Sequence, residues 1–133
     1  MTIIVSCHCG SSRIRLSSAP DTAKSCNCTL CSRVGALRSY FAPEEVEVLT
    51  AEHDTVYTAS GMNLHHFCGK CGNHLYADTP DWASAYNNDG TPKEGTVPGQ
   101  MPAKRTWGVN MRLAEDFDLA SLTVIEVDGR NSW

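Results

Sequence analysis

Seven cysteines in three tight spacings constrain this chain more than any other feature. They are Cys7-His8-Cys9, Cys26-Asn27-Cys28-Thr29-Leu30-Cys31 and Cys68-Gly69-Lys70-Cys71. Three thiols within six positions form a metal site, a redox pair or a disulfide staple, and the other four cysteines decide among these. They fall into two pairs, each followed by a glycine (Gly10 and Gly72). Zinc gives a physical reason for a four-plus-three division: a structural zinc closes its tetrahedron with four protein ligands, whereas a catalytic zinc keeps three and leaves one position open. The expectation is one closed site at Cys7, Cys9, Cys68 and Cys71, and one open site at Cys26, Cys28 and Cys31.

Compartment bears on this reading. At 133 residues the chain suits one domain, 1–133. No apolar run approaches the ~20 residues that cross a bilayer. The start, Met1 to Cys7, lacks the basic region and long apolar stretch of a signal peptide. A cytoplasmic location follows as an expectation, and there thiols stay reduced and serve metals or catalysis. The odd count also leaves one thiol over in an all-disulfide scheme. The net charge is −4 and Lys104-Arg105 is the sole adjacent basic pair. Nucleic-acid binding, which needs a basic face to displace counterions, is disfavoured.

The rest of the chain reads as mainly β. Thr2–Val5 and Arg13–Leu16 form a hairpin, and Cys7 and Cys9 can reach one metal only if the chain turns there, a freedom Gly10 offers. Ser17–Asp21 is loop chemistry. Gly35–Phe41, Val46–Leu49, Thr55–Thr58 and Asn63–Phe67 follow as strands, with a turn at Ser60-Gly61. Leu75–Ala77 continues past Cys71 as strand–knuckle–strand. Asp78–Thr106 holds four of the six prolines and reads as a long loop, with a short helix starting near Pro80; it is a candidate lid or wall over the open site. Trp107–Leu113 and Thr123–Val127 complete the strands, with one helical turn within Asp116–Leu122.

A closed site at the two pairs would staple a small core, zinc binding in such sites contributing ~10 kcal/mol or more of folding free energy. The bland alternative is two reduced thiol pairs buried as small hydrophobes. Three thiolates on one Zn²⁺ suit a soft fourth ligand such as a substrate thiol, which coordination would ionise; a small aldehyde is the natural electrophile. Two rivals stand beside this. The cluster could be a second structural zinc completed by His8, His53, His65, His66 or His74, making the chain a zinc-stabilised binding or structural module without catalysis. Alternatively, Cys28 and Cys31 could be a redox CxxC, although the helix-opening context of thioredoxin-like motifs is missing.

The order CHCG (Cys7–Gly10), CNCTLCSRVGA (Cys26–Ala36), FCGKCGNHLY (Phe67–Tyr76), WGVNMRL and a final VDGR resembles the glutathione-dependent formaldehyde-activating enzyme (GFA) family, which also includes centromere protein V. The resemblance covers nearly the whole chain. It implies a β-tent fold of small antiparallel sheets with zinc sites in the connecting loops. It also implies structural zinc at Cys7, Cys9, Cys68 and Cys71, and catalytic zinc at Cys26, Cys28 and Cys31. The activity it implies is a carbon–sulfur lyase forming S-hydroxymethylglutathione from formaldehyde and glutathione, so the expected partners are a small thiol and an aldehyde. One departure is Asn27, where the family often has histidine. Arg33, Arg38, Lys70 and Arg112 are candidates to hold a substrate carboxylate, against the commoner role of structural or solvated charge. Trp82, Tyr86 and Trp107 are candidates to line a pocket, and His65 and His66 should alternate across a strand.

Overall fold

A computed structural model describes residues 2–133. Its strands, in chain order, are β1 Ile3–Ser6, β2 Ser12–Leu16, β3 Thr22–Cys26, β4 Arg38–Phe41, β5 Val46–Ala51, β6 Asp54–Tyr57, β7 Leu64–Cys68, β8 His74–Pro80, β9 Arg105–Asn110 and β10 Thr123–Val127. Two one-turn helices, α1 Cys31–Val34 and α2 Gly129–Ser132, flank the cysteine cluster in space. The mainly β expectation holds, and no helix among the described residues is long and apolar enough to cross a membrane.

Alternation makes the first sheet. Ile3 and Val5 on β1, with Ile14 and Leu16 on β2, point one way and are buried, as a period of two requires. β1 pairs antiparallel with β2, Ile3 opposite Leu16, and β2 pairs with β5, Leu16 opposite Val46. The second sheet runs β10-β3-β4-β9-β8-β7-β6. Its inner face, with Phe41, Val109, Tyr76 and Trp107, joins Ile3, Val5, Ile14 and Leu16 in one core. Each fully buried aliphatic side chain of this core contributes ~1.5–3 kcal/mol.

Register sorts the residues of the large sheet onto two faces. Ser39, Val109, Tyr76 and His66 lie in one row across adjacent strands, and Tyr40, Gly108, Ala77 and His65 in the next. The first row faces the core; Val109 is fully buried and Tyr76 packs against it. The second row faces away, where Tyr40 is 47% exposed. A register shift after His66 sets His74 opposite Phe67, with their rings stacked at 5.1 Å. This bulge re-aims one side chain.

Several boundaries differ from the sequence reading. The residues after the Ser17–Asp21 loop form β3, whose Thr-Ala-Lys-Ser carries too little apolar alternation to announce a strand. β3 pairs with β10 in parallel, Ala23 opposite Val124, the one parallel pair among the described residues. Gly35–Phe41 is strand only from Arg38, because Cys31–Val34 closes a helical turn that Gly35 ends. Trp107–Leu113 stops being strand at Asn110, whose side chain accepts from Arg112 N and starts a 3-10 turn. The ends of Asp78–Thr106 are strand: Asp78–Pro80 continues β8, and Arg105-Thr106 opens β9, Pro80 sitting opposite Arg105. A cross-strand ladder outweighed the local proline signal there. Between them lie a 3-10 turn at Trp82–Ser84 and a Tyr86–Pro92 bridge.

Candidate metal centres

The first centre is made by two knuckles. At Cys7–Gly10 the Gly10 amide donates to Cys7 O at 3.1 Å, with Gly10 at φ +80°, a conformation that needs no Cβ. At Cys68–Gly72 the Gly72 amide donates to Cys68 O at 2.7 Å, with Gly72 at φ +84°. Asn73 ties the knuckles together by accepting from the His8 amide at 2.8 Å. The four sulfurs of Cys7, Cys9, Cys68 and Cys71 lie within 4.8 Å of one another. Cys9 Sγ is 3.6 Å from both Cys7 and Cys68. Tetrahedral zinc at about 2.3 Å from each sulfur sets S–S edges of ~3.8 Å, so the spacing fits. Donors already face the sulfurs: Ser11 Oγ is 3.1 Å from Cys9 and 3.3 Å from Cys68, and the Ser12 and Cys71 amides reach Cys7 and Cys68. The Ser11 hydroxyl, then the Cys71 amide, bring Cys68 down to about 5, favouring the thiolate that a metal needs.

The second centre is built on β3, the turn after it, and α1. Cys26 ends the strand, Cys28 sits in the turn and Cys31 opens the helix. Their sulfurs lie within 4.8 Å of one another. Among the described residues no histidine, aspartate or glutamate joins the set, so none of the five histidines completes it. The Cys28 amide donates to Cys26 Sγ at 3.5 Å and the Cys31 amide to Cys28 Sγ at 3.3 Å. Burial raises the Cys28 thiol, but hydrogen bonds led by the Cys31 amide outweigh it and the net shift is downward. Burial pushes Cys31 up to about 12, against the pull of Arg38. The donor set therefore offers soft anionic sulfur and must shed a proton when a cation enters.

The chain end clamps this loop. Asn27 Nδ2 donates to Asp128 Oδ1 at 2.8 Å, and Asn27 Oδ1 accepts from the Arg130 amide at 2.9 Å. Arg130 also reaches Asn27 O at 3.0 Å and Ser32 Oγ at 3.2 Å. The parallel β3–β10 ladder brings this about, with Cys26 opposite Val127. Asn27, Asp128, Gly129 and Arg130 were not singled out from sequence as site residues. The signal that could have found them is the Val127-Asp128-Gly129-Arg130 segment.

The other candidates divide. Arg38 reaches the site, its Nη1 3.1 Å from Cys31 Sγ. Arg33 donates to Thr29 O and Arg112 to Gly35 O, bracing the loop rather than facing a ligand. Lys70 is exposed on the other knuckle. Trp107 stacks on Tyr76, which stacks on His66, on the core side. Trp82 donates to Asn63 Oδ1, and Tyr86 Oη to Gln100 O. These three aromatics anchor the fold and the 85–104 segment. His65 and His66 take opposite faces as expected: His65 is buried, and His66 meets Asp54 at 2.9 Å. The 85–104 segment touches the flank of the site, Lys24 Nζ donating to Asn88 Oδ1 at 3.0 Å while Gly90 packs on Ser132 and Trp133.

A family model described as "Glutathione-dependent formaldehyde-activating enzyme" matches residues 2–97. A Halomonas elongata protein whose name assigns it to the same enzymes is 30% identical over 102 residues, which span 63% of this chain and 65% of that protein. A crystal structure of a Rhodobacter sphaeroides protein shares the fold, with a TM-score of 0.63 over 95% of this chain and 98% of that one, at 22% identity. With its cysteine clusters assembled as two thiol centres, this chain belongs to the glutathione-dependent formaldehyde-activating enzyme family.

Proposed function

We propose that the chain is a zinc-dependent carbon–sulfur lyase that joins a small thiol, such as glutathione, to formaldehyde or another small aldehyde, or runs the reverse. Cys7, Cys9, Cys68 and Cys71 hold a structural zinc, and Cys26, Cys28 and Cys31 a catalytic one. The observation that carries this reading is a three-sulfur set with no fourth His, Cys, Asp or Glu beside it among the described residues. Bound there, zinc supplies an open coordination position at which a thiol ionises. Family membership supports the choice of substrates.

The reaction balances without an oxidant or reductant. The thiol sulfur forms a bond to the carbonyl carbon, the C=O π bond opens, and the thiol proton ends on the oxygen. The chain's own residues hold the sulfurs in place: Arg130 and Asp128 fix the Asn27 backbone and side chain, and Arg38 donates to Cys31. A Cys28→Ser variant tests the reading. It should keep its fold and one tight zinc while adduct formation from glutathione and formaldehyde, followed by NMR, drops to the uncatalysed rate. Full activity in that variant overturns the proposal, as do two equally inert zincs in the wild type.

A further inference from the structure

Arg38 and Lys24 are directly opposite one another, the register pair that joins β3 to β4. Like charges facing each other across a ladder are unfavourable, so something else must hold them there. Among the described residues no carboxylate comes within 4.0 Å of either. Arg38 is only 7% exposed, its Nε is buried without a partner, and its side chain hydrogen-bonds only to Cys31 Sγ. A buried cation needs an opposing charge, and the sulfur set is what Arg38 meets. The space is prepared for it: a Cβ on Gly108 would stand 2.9 Å from Tyr40 Cε1 and 3.1 Å from Arg38 Cδ. Both side chains can cross β9 only because that position is bare.

Lys24 lies on the same strand face as Cys26, two residues on. Its Nζ sits 5.5 Å from the centroid of the Tyr40 ring and donates to Asn88 Oδ1, a neutral acceptor. Tyr40 remains 47% exposed. A half-buried cation over an open aromatic floor beside a thiol centre suits an anionic group of a small ligand.

We propose that Lys24 and Arg38 are counter-cations with divided roles: Arg38 balances the sulfur charge at Cys31, and Lys24 holds a carboxylate of an acid-bearing thiol whose sulfur enters the three-cysteine site. This rests on the proposed function and adds to it a specificity-determining residue, Lys24, and a positioning residue, Arg38.

Binding without turnover tests it. The cobalt-substituted protein is titrated with glutathione and with glutathione dimethyl ester, following the sulfur-to-cobalt absorption. In the wild type the acid should bind roughly tenfold or more tighter than the ester, the worth of one charge-assisted hydrogen bond. Lys24→Met should bring the two to within about twofold, and Lys24→Arg should restore the preference. Equal binding of acid and ester by the wild type overturns the Lys24 role, as does a preference that survives Lys24→Met; both leave the proposed function standing. No spectral response to either thiol overturns the function and this inference together. For Arg38, replacement by Met should weaken cobalt retention at the three-cysteine site roughly tenfold and leave the four-cysteine site unchanged. Unaltered retention overturns its positioning role.

Discussion

A Cβ built on Gly129 would stand 2.7 Å from Cys26 Sγ and 2.8 Å from Trp133 Cζ2. The last helix thus lies against the first thiol of the cluster because residue 129 has no side chain, and Trp133 closes the other side. Gly129→Ala meets no backbone obstacle in a helical turn, so its effect should be steric. Either Cys26 or Trp133 must shift by several tenths of an ångström. The expected outcome is a roughly 10- to 100-fold loss of metal affinity at the three-cysteine site with the four-cysteine site intact. Competition with a chromophoric chelator separates the two, and two unaltered affinities would count against the contact.

Arg130 braces the same loop from outside by reaching Asn27 O and Ser32 Oγ. Arg130→Ala should speed zinc release from the three-cysteine site about tenfold, while Arg130→Lys, which cannot span both acceptors with a planar fork, should recover only part of it. Thermal unfolding of the zinc-loaded protein should move little, since these groups are exposed.

The four-cysteine centre ties β1 and β2 to β7 and β8 across about sixty residues, Cys9 meeting Cys68. Its ion should belong to the folding equilibrium. Cys71→Ser, or chelation strong enough to strip both ions, should unfold the chain or cut its stability by ~10 kcal/mol, which is of the order of the whole stability of a domain this size. Circular dichroism during chelation checks this; a melting curve unchanged after complete metal loss would refute a structural role.

His65 offers a pH signature. Burial first, then the nearby Arg38 charge, depress it to about 4, well below its ordinary 6.5. Between those values the unfolded chain binds the proton and the folded one does not, so stability rises with pH there. The neutral, buried His65 is fully tolerated above about 6.5, and stability falls as pH drops toward 4, by at most ~1.4 kcal/mol per unit from this group. His65→Phe should flatten that part of the urea-denaturation profile, measured relative to the wild type so that acid loss of metal cancels. Parallel profiles would show that the imidazole is not the cause.

Local chemistry wrote the two thiol knuckles, the three-cysteine cluster and most of the strands into the sequence. A CxC or CxxC pair followed by glycine brings sulfurs together within one turn, through contacts of neighbouring residues, so its spacing alone announces it. Ile3, Val5, Ile14 and Leu16 likewise announce a hairpin through alternation. The structure gathers the sulfurs in one group of four and one group of three.

What the sequence could not announce are partners distant in the chain. β3 is a strand because β10 lies alongside it, and Asn27 meets Asp128 over a separation of 101 residues. Lys24 faces Arg38 for the same reason, since a ladder chooses opposite residues and leaves no periodic mark on either segment. Spacing, then, determined which sulfurs meet within one turn, while the meeting of Cys9 with Cys68 across about sixty residues is tertiary. The clamp on the three-cysteine loop, the bare Gly129 beside Cys26 and the facing pair of Lys24 and Arg38 were decided by how the strands closed around them.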